Sequence, residues 1–283
     1  MTISELLDSV QLPDSSTPRL DLEVLLGFVL NKPRVHLYTW PEKNVTPEDE
    51  SLFLKLVEKR RCGEPIAYLV GEKEFWSLNL GVDSSTLIPR PDTETVVELV
   101  LQLVSDQRVT PAKILDLGTG TGAIALALSS EFPDAEVWGV DKSASAISLA
   151  IDNGAKTGIE RCHFLVSDWF ANINTTDFDI IVSNPPYIAQ NDPHLKQADI
   201  RFEPLSALVS GDDGLTDIRH IVSESPAYLA ENGWLLLEHG YDQSFEVKSM
   251  LIDAGFKSLN TVKDFAGLPR VSYGCLRRLT SIT

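Results

Sequence analysis

The chain has 283 residues, 43% of them hydrophobic and 23% charged, which is the make-up of an ordinary soluble globular protein with length for one large domain or two smaller ones. Its net charge of −17 weighs against holding DNA or RNA mainly by the phosphates, because that needs a basic surface, so no direct nucleic acid partner is expected. The start, MTISELLDSVQLPD, has neither the basic nor the apolar stretch of a secretion signal, and no apolar run is long enough to span a membrane.

A cytoplasmic location follows as the expectation. Cys62, Cys162 and Cys275 are odd in number, widely separated and without zinc spacing, so they read as reduced thiols. The five histidines do not cluster, and no metal site is expected. The short basic pairs Arg60-Arg61 and Arg277-Arg278 read as solvated charges.

Residues 1–64 read as a small helical domain. TPRLDLEVLLGFVLN places Leu22, Leu25, Leu26 and Val29 at helical spacing. TPEDESLFLKLVEKRRCGEP opens on Thr46 before Pro47 and acidic residues and stops at Gly63. Residues 65–84 change to short aromatic and β-branched runs, broken at Gly71-Glu72-Lys73, and predict a β-hairpin connector. The larger domain, 85–283, alternates KILDLG, AEVWGVD, HFLVSD and FDIIVSN with helical stretches, the signature of a parallel sheet with crossover helices. FKSLNTVKD and RVSYGCLRRL follow as two closing strands, expected to pair antiparallel at the sheet edge. The fold class is α/β.

ILDLGTGTGAIALAL puts Asp116, Gly118, Gly120 and Gly122 at the first strand-to-helix turn, where glycines let a ligand lie against backbone. Gly118-x-Gly120-x-x-Ala123 satisfies the loose dinucleotide fingerprint. Gly118-x-Gly120-x-Gly122 after Asp116 is the S-adenosylmethionine version, which needs no room for a pyrophosphate. Asp141 ends the next strand, where a carboxylate accepts ribose hydroxyls. In SDWF, Asp168 suits an adenine amino group and Trp169 its ring, although a half-buried aromatic needs no ligand.

Asn184-Pro185-Pro186-Tyr187 follows the fourth strand and faces the same crevice. Two prolines fix φ and lack an N–H, so the Pro185 carbonyl is aimed rigidly beside a carbonyl from Asn184. Two acceptors converging on one planar –NH₂ group hold both its hydrogens and pin its lone pair for attack, while Tyr187 offers a flat face.

With these motifs on view, the sequence resembles the amino-methyltransferases that share Asn/Asp-Pro-Pro-Tyr/Phe/Trp. More narrowly it is similar to the peptide chain release factor glutamine methyltransferase family (PrmC/HemK), through RRCGEPIAYLVGEKEFWSL, LIPRPDTE, ILDLGTGTGAIALAL, SDWF, SNPPYI, RFEPLSALVSGDDGL and LLLEHG. The resemblance implies a Rossmann-like class I methyltransferase domain behind a helical domain that docks the release factor. It also implies methylation of the glutamine amide in the Gly-Gly-Gln loop of class I release factors.

Gly118, Thr119, Gly120, Thr121, Gly122, Asp141 and Trp169 would then contact S-adenosylmethionine. Asn184, Pro185, Pro186 and Tyr187 would hold the glutamine, with Asn184 touching the donor as well. Arg90 and Glu94, in a segment that also reads well as a stiff, capped helix start, would support the site from behind. Leu268-Pro269 stands where the family often has an acidic-basic pair, in a loop expected to be peripheral. The segment from Ile188 to Asp213 is long for a connector and is expected to join the substrate cleft. Rival readings are an adenine amino-methyltransferase acting on DNA or RNA, a nicotinamide-dependent oxidoreductase, and a non-catalytic binding module.

Overall fold

A computed structural model describes residues 1–107, 110–196 and 198–277; Arg278, of the second basic pair, lies outside them. The chain divides into two compact units, Met1–Glu72 with His194–Phe202, and Lys73–Pro193 with Glu203–Thr283.

Among the described residues the first unit holds the α-helices α1 (Ile3–Asp8), α2 (Pro18–Leu30), α3 (Arg34–Thr39), α4 (Pro47–Arg61) and α5 (Ile66–Val70). A capping box between Thr2 and Glu5 starts α1. Thr46 caps α4 by accepting from the Asp49 N–H at 3.1 Å, with Pro47 in the first turn and Lys59, Arg60 and Arg61 in the last. The predicted stripe Leu22, Leu25 and Leu26 is fully covered, against Phe53 and Val57 of α4, and Val29 packs at its edge. Arg60 departs from its reading as a solvated charge. It pairs with buried Asp21 of α2 at 2.8 Å, because α2 and α4 meet along the face that carries both.

The predicted hairpin is present, with its turn elsewhere. Gly71 (φ 75°) ends α5, and the strands are β1 (Glu72–Phe75) and β2 (Leu78–Gly81). The reversal is at Trp76-Ser77, both with positive φ (52° and 60°). Carboxylates hold this strained pair: Glu94 accepts from Trp76 N at 3.0 Å and Glu74 from Ser77 N at 2.6 Å.

Among the described residues seven strands follow, β3 (Lys113–Leu117), β4 (Glu136–Asp141), β5 (His163–Val166), β6 (Phe178–Ser183), β7 (Leu229–Glu238), β8 (Phe256–Lys263) and β9 (Pro269–Leu276). They form one sheet in the order β5-β4-β3-β6-β7-β9-β8. The five strands from β5 to β7 are parallel, and β9 inserts antiparallel between β7 and β8, as the two closing strands foretold.

Both faces are covered, so the strands read as continuous apolar runs. Ile114, Ile180 and Val182 pack toward α6 (Glu94–Gln107) and α7 (Ala123–Glu131). Leu115, Ile181 and Leu235 pack toward α9 (Thr216–Glu224) and α10 (Ser244–Asp253). The strand order reverses between β3 and β6, where Leu117 is in register with Ser183. That register sets Gly118 beside Asn184 at the carboxyl edge, the usual ligand position in an open α/β sheet. Among the described residues no helix is long and apolar enough to cross a membrane.

Candidate active site

The glycine turn is tied down from both sides. Gly118 and Thr119 each donate an N–H to the Val140 carbonyl at 2.8 Å, and the glycines at 118, 120 and 122 have φ of 72°, 53° and 81°. The Asp141 carboxylate accepts from Gly120 N at 3.1 Å and Ser143 N at 2.9 Å, so it is held in place before any ligand arrives. Asn153 of α8 (Ala144–Thr157) is buried and donates to Thr121 O at 2.9 Å while exchanging bonds with Gly81, which joins the hairpin to the turn.

Asp116 does not line the cleft. It is 1% exposed, and its Oδ2 accepts from the Thr119 hydroxyl at 2.6 Å and from Ala125 N, in the first turn of α7, at 3.2 Å. A carboxylate therefore already faces the helix start that a pyrophosphate would need.

Burial pushes the Asp116 carboxyl up to about 7, against an ordinary value of 3.8. Between those values the folded protein keeps a proton that the unfolded chain releases. Stability attributable to Asp116 is thus complete below the unfolded value and falls as pH rises through the folded one, by up to about 1.4 kcal/mol per pH unit. Asp116→Asn removes that slope, so the difference between wild type and variant in denaturant unfolding should change steadily from pH 4 to 7 (about that window). A difference independent of pH contradicts this.

A cleft of about 920 Å³, part of it open to solvent, runs along this edge. Gly118, Thr119, Gly120, Thr121, Asp141, Asp168, Trp169, Asn184, Pro186 and Arg90 all line it, and Ser206 and Ala207 supply one wall, as expected for the long segment after Ile188. Trp169 has positive φ (49°), and its ring lies 3.4 Å from where a Cβ on Gly118 would stand. Buried Ser167 holds that turn, donating to Trp169 O at 2.8 Å and accepting from Asn172 N at 2.9 Å.

Pro185 and Pro186 are buried, and the backbone after them is anchored. Gln243 Nε2 donates to Tyr187 O at 3.0 Å, and Ile188 N donates to Leu208 O at 2.9 Å. Asn184 Nδ2 donates to the Thr93 hydroxyl at 3.1 Å, which leaves Oδ1 for the cleft. Among the described residues, no donor reaches Asn184 Oδ1 or the Pro185 carbonyl. Both acceptors stand on consecutive residues of rigid backbone, and of the two residues Asn184 lines the cleft.

Behind the clamp lie groups that the sequence reading did not single out. Burial, and then the nearby Glu238 carboxylate, push the Tyr187 phenol well above its usual range. Burial pushes Glu238 up to about 7, although the Thr93 and Tyr187 hydroxyls pull it back. Arg270 holds Asp264 at 3.0 Å and the His239 carbonyl at 3.3 Å, and its charge faces Tyr187 and Glu238. The Leu268-Pro269 departure directly precedes Arg270, and neither of its residues is among those lining the cleft.

Arg90 lines the cleft itself rather than standing behind it, and it donates to buried Glu203 at 2.6 Å, which also accepts from Ile88 N at 3.2 Å. Glu94 does not. It turns to the hairpin, because the first turn of α6 points its carboxylate at Trp76 N rather than at the cleft. LIPRPDTE and LLLEHG were visible signals for Thr93 and Glu238, but neither stretch says which of its polar residues faces inward.

A family model described as Methyltransferase small domain matches residues 92–202, and one described as PrmC N-terminal domain matches residues 9–71. The Release factor glutamine methyltransferase of Vibrio cholerae is 49% identical over 268 residues, spanning 94% of this chain and 93% of that protein. Its counterpart in Pseudomonas aeruginosa is 49% identical over 273 residues, spanning 96% and 98%. The chain belongs to the release factor glutamine methyltransferase family.

Membership of the release factor glutamine methyltransferase family makes the protein a methyl-transferring enzyme and removes the oxidoreductase and the non-catalytic module. Buried Asp116 of β3, whose carboxylate is bonded to the first turn of α7, supplies the physical reason against a dinucleotide. A solved methyltransferase from Pyrococcus furiosus shares the fold, with a TM-score of 0.52 at 15% identity over 80% of this chain and 98% of that one.

Proposed function

We propose that the protein methylates the side-chain amide nitrogen of the glutamine in the Gly-Gly-Gln motif of class I peptide chain release factors, with S-adenosylmethionine as donor. The free acceptor Asn184 Oδ1, on a residue that lines the cleft with the glycine turn and is followed by the Pro185 carbonyl on rigid backbone, carries this reading. An amide –NH₂ is conjugated and hardly nucleophilic. Two acceptors that grip its hydrogens favour a pyramidal nitrogen and aim the lone pair across the cleft. Pro186 keeps Pro185 extended, and Tyr187 lies flat against the amide plane.

The residues present fit the donor. The glycine turn leaves room against backbone, Asp141 accepts ribose hydroxyls, Asp168 accepts from the adenine amino group, and Trp169 borders the ring. Asp116 acts one layer back, holding the turn through Thr119 and Ala125. S-adenosylmethionine, when bound, supplies a methyl carbon on a cationic sulfur that leaves as a neutral thioether. The glutamine nitrogen gives up one of its gripped hydrogens as a proton, which passes to water in the solvent-open part of the cleft. In this reading residues 1–64 dock the release factor, 65–84 connect, and 85–283 form the methyltransferase domain, working in the cytoplasm.

Asp141→Ala removes a charged acceptor and should weaken S-adenosylmethionine binding by about 2–3 kcal/mol, roughly 30- to 150-fold, in calorimetry. An unchanged affinity would place the ribose elsewhere. The function itself is tested by incubation with labelled S-adenosylmethionine and either a release factor or duplex DNA. Label in the release factor is expected. Label in DNA alone would assign the clamp to adenine, a result the net charge of −17 speaks against.

A further inference from the structure

An asparagine amide has an oxygen and an –NH₂ of almost equal size, so shape alone does not decide which faces the cleft. The wrong face would set a donor against the substrate's own N–H groups and destroy the clamp. Something must break the tie.

The groups behind Asn184 are placed to do so. Register pairs Ser183 with Leu237, so the next residues, Asn184 and Glu238, leave neighbouring strands side by side. Thr93, 4% exposed, stands at Asn184, its hydroxyl accepting from Nδ2 at 3.1 Å. The Thr93 hydroxyl and the Tyr187 phenol both face the Glu238 carboxylate and favour its charged form, and Glu238 is 1% exposed with Oε2 buried and without a hydrogen-bond partner. The other charges that face Glu238 are Arg270 on β9 and Asp92 in the turn before α6.

We propose that Glu238, acting through the Thr93 hydroxyl, is the positioning residue that keeps Asn184 Oδ1 turned toward the substrate nitrogen. This rests on the amide-clamp reading above. An ionised carboxylate only accepts, so it takes the single hydrogen of the Thr93 hydroxyl. The Thr93 oxygen is then an acceptor toward Asn184, and only the –NH₂ group can meet it. The amide is thereby locked with its oxygen outward. Protonated Glu238 donates to Thr93 instead, and the freed Thr93 hydrogen turns to Asn184 and stabilises the flipped amide. In this proposal neither Glu238 nor Thr93 holds the substrate, although Thr93 borders the cleft beside Asn184. Their effect lies in the orientation of the residue that does.

The test uses the full chain with a release factor as substrate. Thr93→Val keeps shape and loses the hydroxyl, Thr93→Ser keeps the hydroxyl, and Glu238→Gln supplies an amide that can donate to Thr93. The expected result is a kcat lower by roughly 10- to 100-fold for Thr93→Val and Glu238→Gln, with most of it recovered in Thr93→Ser. S-adenosylmethionine affinity, read by calorimetry, should stay near the wild-type value in all three.

The wild-type kcat should also rise with pH through about 7, where burial places Glu238, and Glu238→Gln should lose that limb. Wild-type kcat in Thr93→Val, or an equal loss in Thr93→Ser and Thr93→Val, overturns the relay. If Glu238→Gln does not fold, the two Thr93 variants decide alone. Absence of release factor methylation by the wild-type protein would instead overturn the glutamine reading, and the relay with it.

Discussion

Asn184→Ala should lower methyl transfer to the release factor by about a thousandfold or more while S-adenosylmethionine still binds with close to wild-type affinity. The side chain provides one of the two free acceptors, and removing it leaves the substrate –NH₂ held by Pro185 O alone. The nitrogen can then rotate back into conjugation, and its lone pair no longer points across the cleft. The donor's own contacts lie mostly along Gly118–Gly122, Asp141 and Trp169 and are untouched. Single-turnover rates and calorimetry on one preparation separate the two effects. A loss of binding equal to the loss of rate would mean that Asn184 serves the donor rather than the glutamine.

The second large effect is expected at Gly214, a glycine of the RFEPLSALVSGDDGL stretch for which no role was assigned above. Gly214 has φ of 76°, and a Cβ there would stand 2.3 Å from Tyr187 O and 2.9 Å from Gln243 Nε2. Gly214→Ala must push the Tyr187 carbonyl away from Gln243, whose 3.0 Å bond anchors the clamp. The left-handed backbone adds its own strain.

Together these should cost about 2–4 kcal/mol in denaturant unfolding, and kcat should fall by roughly 10- to 100-fold. Gly71 is the control, with φ of 75° and nothing within 4 Å of its would-be Cβ. Gly71→Ala should cost only the backbone strain, about 1 kcal/mol, with activity intact. Equal costs at the two positions would show that the contact with Tyr187 does not matter.

Much of this was readable from the chain. Apolar runs of strand length alternating with helical stretches gave the parallel sheet and its antiparallel close. Local signals such as Thr46-Pro47 and the glycines after Asp116 placed caps and turns, because their causes lie within a few residues. The hairpin turn lies about five residues beyond the Gly71 break, since Gly71 serves as a helix end and two carboxylates hold Trp76-Ser77 in its place.

What stayed hidden depends on strand order and distant contacts. Glu238 reads as an ordinary charge at a strand end until β7 lies beside β6. Glu203 meets Ile88 across 115 positions of sequence, and no periodicity encodes that. Arg60 looked solvated because Asp21 is on another helix. Glu94 looked like part of the site because it is near Arg90 in sequence, yet its carboxylate faces the hairpin.

The central claim is that the methyl group ends on a glutamine amide nitrogen. The measurement that meets it most directly is fragment mass spectrometry of a class I release factor after incubation with this protein and S-adenosylmethionine. The account predicts one added methyl group, confined to the peptide with Gly-Gly-Gln and to the glutamine side chain within it, and none when Asn184→Ala replaces the wild-type protein. A methyl group on any other residue, or an unmodified glutamine beside a methylated adenine in added nucleic acid, would contradict it.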